Sequence, residues 1–112
     1  MTAAQFRKLA LSLPEVVEAE HMGHPDFRVG GKIFATLGPG EKWGMVKLTP
    51  DEQASLIASQ PDVFHPASGT WGRGGSTIVR LCPARALTVR HALLTAWRKA
   101  APKKLVEEFD TE

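Results

Sequence analysis

Apolar residues recur along this chain first at helical and then at strand spacing, and each change of period marks an element. Phe6, Leu9, Ala10 and Leu13 form one helical stripe, opened by Thr2 as N-cap with Gln5 three residues on, and closed by Pro14. Residues 16–22 mix β-branched and charged side chains and predict a strand. Phe27-Arg28-Val29 and Lys32-Ile33-Phe34-Ala35 flank Gly30-Gly31, which predicts a tight hairpin with Val29 opposite Lys32 and Phe27 opposite Phe34. Gly38-Pro39-Gly40 supplies a second turn, from which residues 43–48 return. Thr49, Pro50 and Glu52 then carry an N-cap, a first-turn proline and a capping box, starting a helix that runs to about Ser59.

The segment 64–75 reads as loop. Residues 76–81 read as a strand stopped by Cys82-Pro83. The longest helix is expected over 84–100, with Ala86, Val89, Leu93, Trp97 and Ala100 on its apolar face. Arg90 falls inside that arc and requires a carboxylate or a route to solvent. Pro102 begins a last turn or two of helix through Phe109. This order predicts an α+β fold, a single antiparallel sheet with helices packed on one face.

Composition adds bounds. With 112 residues and 43% hydrophobic positions, one domain spanning residues 1–112 is expected. No apolar run approaches the roughly 18 residues of a membrane span, and the first residues lack an apolar signal core. One cysteine, Cys82, excludes an internal disulfide; with no export signal, the expected compartment is the cytoplasm and the thiol is expected to be buried and inert.

Charge changes the picture more. The net charge is only +2, yet between Val63 and Lys104 stand eight cations and no carboxylate: Arg73, Arg80, Arg85, Arg90, Arg98, Lys99, Lys103 and Lys104. Such segregation marks a surface that meets an anion, or one half of the chain balancing the other. The helix 84–100 holds four of the eight, and the tail Glu107, Glu108, Asp110 and Glu112 can neutralise Lys103 and Lys104.

Few motifs carry chemistry. Gly69 to Ser76 approaches a phosphate-binding loop, but Gly75 stands at the lysine position and a strand follows in place of a helix. His21, His24 and Asp26 do not converge at strand spacing, so no metal is expected, nor any other cofactor. No nucleophile, base and orienting group fall together, and a non-enzyme is expected. The basic and aromatic residues form a stronger pattern. Arg28, Lys32, Lys42, Lys47, Arg73 and Arg80 lie on or beside strands and turns, interleaved with Trp43 and Trp71. Cations hold a phosphate backbone and rings stack on bases. Trp97, and less firmly Trp43, fit the core; Trp71, among glycines, does not.

Several segments, in order, resemble the MmcQ/YjbR family: residues 23–35 (GHPDFRVGGKIFA), 43–48 (WGMVKL), 64–67 (FHPA), 71–75 (WGRGG) and 97–103 (WRKAAPK). The resemblance covers nearly the whole chain. It implies a small α+β domain with bacterial frataxin (CyaY-like) topology, whose β-hairpins project as two wings in a family described as double-wing DNA-binding. The Gly30-Gly31 hairpin matches one such turn, and the segment 69–75 matches the family's glycine-tryptophan loop. Ser76 departs from the bulky residue usual there. Iron binding is not implied, because residues 3–13 hold no Asp or Glu.

The expectation is therefore a non-enzymatic DNA-binding domain, monomeric, with Arg28, Lys32, Lys47, Trp71, Arg73 and Arg80 as contacts. About four phosphate contacts would give a log–log salt slope near −3 to −4 on duplex DNA. The alternative is a protein-interaction or small-ligand adaptor, with His24, Phe64 and Trp71 lining its pocket. No membrane partner is expected.

Overall fold

A computed structural model describes residues 1–21 and 23–111, and of His21 the backbone alone. Met22 and Glu112, assigned above to a strand end and to the acidic tail, lie outside the described residues, as does the side chain of His21.

The elements follow the local signals closely. Helix α1 (Ala3–Leu11) starts from Thr2, whose hydroxyl accepts from the Gln5 backbone while the Gln5 side chain accepts from Thr2. Strands β1 (Val17–His21), β2 (His24–Val29) and β3 (Lys32–Leu37) form a meander. Between β2 and β3, Gly30 and Gly31 have φ of 58° and 80°, the left-handed pair that a two-residue hairpin turn requires. A single 3₁₀ turn at Pro39–Glu41 leads into β4 (Trp43–Lys47). Helix α2 (Pro50–Ser59) has the reciprocal Thr49–Glu52 capping box. Strand β5 (Phe64–Pro66), helix α3 (Gly69–Arg73), strand β6 (Ser76–Arg80), helix α4 (Ala86–Ala100) and helix α5 (Lys103–Asp110) complete the chain.

The six strands form one antiparallel sheet in the order β1-β2-β3-β4-β6-β5. Helices α1 and α4 pack on one face. There Phe6, Phe27, Phe34, Leu37, Val46, Phe64, Val79, Leu93 and Trp97 make the core, all at most 1% exposed. Alternation then assigns the other face without ambiguity. One row of cross-strand partners runs over all six strands: Ala19, Asp26, Thr36, Met45, Ile78 and His65.

Four expectations are corrected. Phe27 faces Ala35, not Phe34, because a β-bulge shifts the register between Phe27 and Arg28. The extra residue lets Phe34 and Ala35 both point into the core. The segment 64–75 is not loop: it holds β5 and the five-residue α3, too short to show a helical period. On α4 the buried stripe is Val89, Ala92, Leu93, Ala96 and Trp97. The two alanines move its centre away from Arg90, which is exposed, as is Ala86. Cys82 is also exposed, because it lies beyond the end of β6 while Leu81 and Ala84 on either side turn inward. The acidic tail engages α4: Asp110 accepts from Arg98 at 2.9 Å, and each holds the other ionised, Arg98 upward and Asp110 downward, chiefly through that hydrogen bond.

Candidate functional site

The face of the sheet away from α1 and α4 is a trough of about 970 Å³. Its floor follows from strand alternation. Ile33, Met45 and Ile78 are half-buried there, the outward-pointing neighbours of core residues. Trp43 and Trp71 also line the trough, with cations at Lys42, Lys47 and Arg80. Among the described residues lining it there is no carboxylate.

Each of these side chains is placed by a local constraint. Trp43 opposes Arg80 across the β4–β6 pair, so the two share this face. Its ring lies over Gly38, where an added Cβ would sit 2.2 Å from the indole Cε2; only glycine leaves room for it. Trp71 belongs to α3, which is clamped at three points. Gln53, 9% exposed, donates from its amide to the carbonyls of Gly72 and Ser76, both at 3.0 Å. Gly72 packs so closely that a Cβ would come within 1.8 Å of the Ala67 oxygen. Gly75, at φ 111°, lies equally tight against the Leu48 carbonyl. The result is a tryptophan that is 69% exposed yet held on a fixed backbone. Lys47 Nζ stands 5.9 Å from the centre of its ring, a cation–π distance.

His65 and His24 also line the trough. Burial, and after it the charge of Arg80, push the His65 imidazole below its ordinary pKa, so the ring favours the neutral form. Its Nδ1 is buried with no hydrogen-bond partner among the described residues.

Of the residues expected from the sequence, Lys47, Trp71, Arg80 and His24 meet in this trough. Four do not. Arg28 is engaged with Asp26, which is fully buried, in a two-pronged ion pair at 2.9 and 3.1 Å, and that carboxylate raises the guanidinium pKa, first by its hydrogen bond and then by its charge. Lys32 pairs with Val29, a core residue, so it belongs to the helix side of the hairpin. Arg73 is exposed on α3 but lies outside the trough lining. Phe64 points into the core at 1% exposure and cannot line a pocket, because it pairs with Val79 while His65, one residue on, takes the outward position. At the exposed β2–β3 turn, Gly30 abuts α5's leading proline: a Cβ there would be 2.9 Å from the Pro102 ring, while Gly31 has open space around it.

His65 and the apolar floor were not visible in the sequence; Lys42 and Trp43 stood in the basic and aromatic pattern but not among the expected contacts, Trp43 being weighed toward the core. Trp43 alternates with Gly44 and Val46, and that alternation was the available signal: the two inward positions leave Trp43 outward. Beyond Trp71 lies a second recess of about 200 Å³, where Lys47 meets Lys99 of α4 with Thr70 and Ser76.

A family model described as YjbR matches residues 11–106. No curated protein matches the chain. Among solved structures, a Deinococcus radiodurans protein with a DUF419 domain superposes with a TM-score of 0.74 at 17% identity, over 97% of this chain and 88% of that one. A Pseudomonas syringae protein superposes with a TM-score of 0.69 at 18% identity, over 89% of this chain and 99% of that one. At such identities the likeness is one of fold.

Proposed function

The chain belongs to the YjbR family, and on that premise we propose that it binds DNA through the open face of its sheet. One observation carries the reading: Trp43 and Trp71 share a single trough with Lys42, Lys47 and Arg80, and the described residues that line it include no carboxylate. Cations fix phosphates by charge, and aromatic faces take bases whatever their sequence. The apolar floor of Met45 and Ile78 adds contact area without hydrogen-bond donors, so this chemistry favours affinity over base discrimination. Arg28 acts indirectly, by neutralising the buried Asp26 carboxylate beside the trough.

Fluorescence anisotropy with labelled DNA across a salt series tests the reading. The double variant Lys47→Ala/Arg80→Ala is expected to bind more weakly at every salt concentration, with a log–log slope shallower by about 2. Lys32→Ala/Arg73→Ala, changed outside the trough, should differ little from the parent. Equal losses in the two pairs, or an affinity indifferent to salt, would count against the open face.

A second reading rests on size. About 970 Å³ falls within the span of small-molecule pockets, about 300–1,000 Å³. An aromatic anion such as a mononucleotide has the chemistry to fill it. A mononucleotide that binds as tightly as an oligonucleotide would favour that reading.

A further inference from the structure

We infer that the form of DNA this face takes is a single strand, its bases lying in the trough and its backbone passing over Trp71 to Lys99. The inference rests on the DNA-binding reading and narrows its ligand.

Three observations lead to it. The floor of Ile33, Met45 and Ile78 is half-buried and shares the trough with the half-buried Trp43 and the exposed Trp71. In a duplex the flat faces of the bases are stacked away, and only phosphates and groove edges are presented. Such a ligand can meet the cations at Lys47 and Arg80 but leaves the indoles and the floor empty. Unstacked bases of a single strand can use both.

Among the described residues, two candidates for entering a groove, the β2–β3 turn and α3, are each tied to the body of the protein. Reading the major groove takes a protruding helix or β-ribbon. The β2–β3 turn is anchored on one side, where Gly30 abuts Pro102, and α3 is held down at Gly72 against Ala67 and through Gln53.

Finally, the trough does not end at Trp71. Lys47 and Trp71 line both it and the smaller recess beyond, which Lys99 also lines. Thr70 and Ser76 add hydroxyl groups there. A chain that stacks on Trp71 has Lys47 beside the ring and a second ammonium group in the recess beyond. This alternation of ring and cation suits a backbone that carries one phosphate per base. It also gives a role to one member of the acid-free stretch that sits on α4.

The test compares the full-length chain on an oligothymidylate of about twelve nucleotides and on a duplex of equal length, at matched salt. The single strand is expected to bind at least about tenfold tighter, since one stacked base contributes roughly that factor or more. Lys99→Ala should make the single-strand log–log salt slope shallower by about 0.7, while Arg90→Ala, exposed elsewhere on the same helix, leaves it unchanged. Duplex binding as tight as single-strand binding overturns the inference and leaves the DNA reading standing. A slope indifferent to Lys99→Ala overturns the path over Trp71. Failure to bind either ligand at low salt overturns both the inference and the reading beneath it.

Discussion

Replacing Gly75 by alanine is expected to destabilise the protein by about 3 kcal/mol or more, through backbone strain and overpacking together. Gly75 has φ of 111°, a conformation that side-chain-bearing residues rarely adopt, and an added Cβ would stand 1.9 Å from the Leu48 oxygen. The Cβ position is fixed by the backbone and its partner is a backbone oxygen, so no side-chain rotation relieves the clash. The neighbourhood also depends on Gly75. Its carbonyl accepts from the Leu48 amide at 3.2 Å and from the Thr77 hydroxyl at 2.9 Å. Relaxation must therefore part the end of β4 from the start of β6, which carries α3 and Trp71 with it. Urea denaturation measures the loss. Acrylamide quenching of tryptophan fluorescence reports whether Trp71 keeps its setting. A midpoint like that of the parent would mean that the α3 clamp has more freedom than the packing allows.

Trp97→Ala is expected to cost about 3–5 kcal/mol, the range for removing a large aromatic from a close-packed core. Trp97 is fully buried, and its indole N–H donates to the Pro14 carbonyl at 3.0 Å, across 83 residues of sequence. Its ring meets Phe109 at 5.1 Å with a 56° tilt, so it also ties α5 to the core. Alanine leaves a cavity, an unpaired carbonyl and a loosened α5. Trp97→Phe retains most of the volume and loses the hydrogen bond, and should cost less. Chemical denaturation of the two variants separates packing from the polar tie; equal costs would assign the whole effect to the hydrogen bond.

These two positions also show what was legible in the sequence. Trp97 was readable because helical spacing places it beside Val89 and Leu93 on one face of α4. The caps at Thr2 and Thr49 and the Gly30-Gly31 turn were readable for a similar reason: each is a contact between near neighbours. Gly75 was visible as a glycine, but its close approach to Leu48 is a contact between strands. The bulge at Phe34 was hidden because it depends on which residue of β2 faces Ala35.

The site divides in the same way. Lys47, Trp71 and Arg80 could be singled out by residue type, but their convergence comes from β4 pairing with β6, with α3 lying at the end of that pair. Lys32 and Arg73 have the same chemistry and lie outside the trough. Trp43 looked like core material because it is large and sits in a strand. Its alternation with Gly44 and Val46 places it on the open face instead. Lys99 stands on α4, which packs on the other face of the sheet, yet the last turn of that helix reaches the recess beside Trp71. The acid-free stretch thus disperses. Arg80 belongs to the trough and Lys99 to the recess, while Arg98 is paired with Asp110.

The three tryptophans allow the most direct test of the open face as the DNA-binding surface. In a ¹H–¹⁵N spectrum their indole N–H groups give separate signals, two from the open face and one from the core. On titration with single-stranded DNA, the Trp43 and Trp71 signals should shift together with the backbone amides of β4, β6 and α3, while the Trp97 signal stays in place. Shifts confined to α1, α4 and the Trp97 indole, with Trp43 and Trp71 unmoved, would contradict the account.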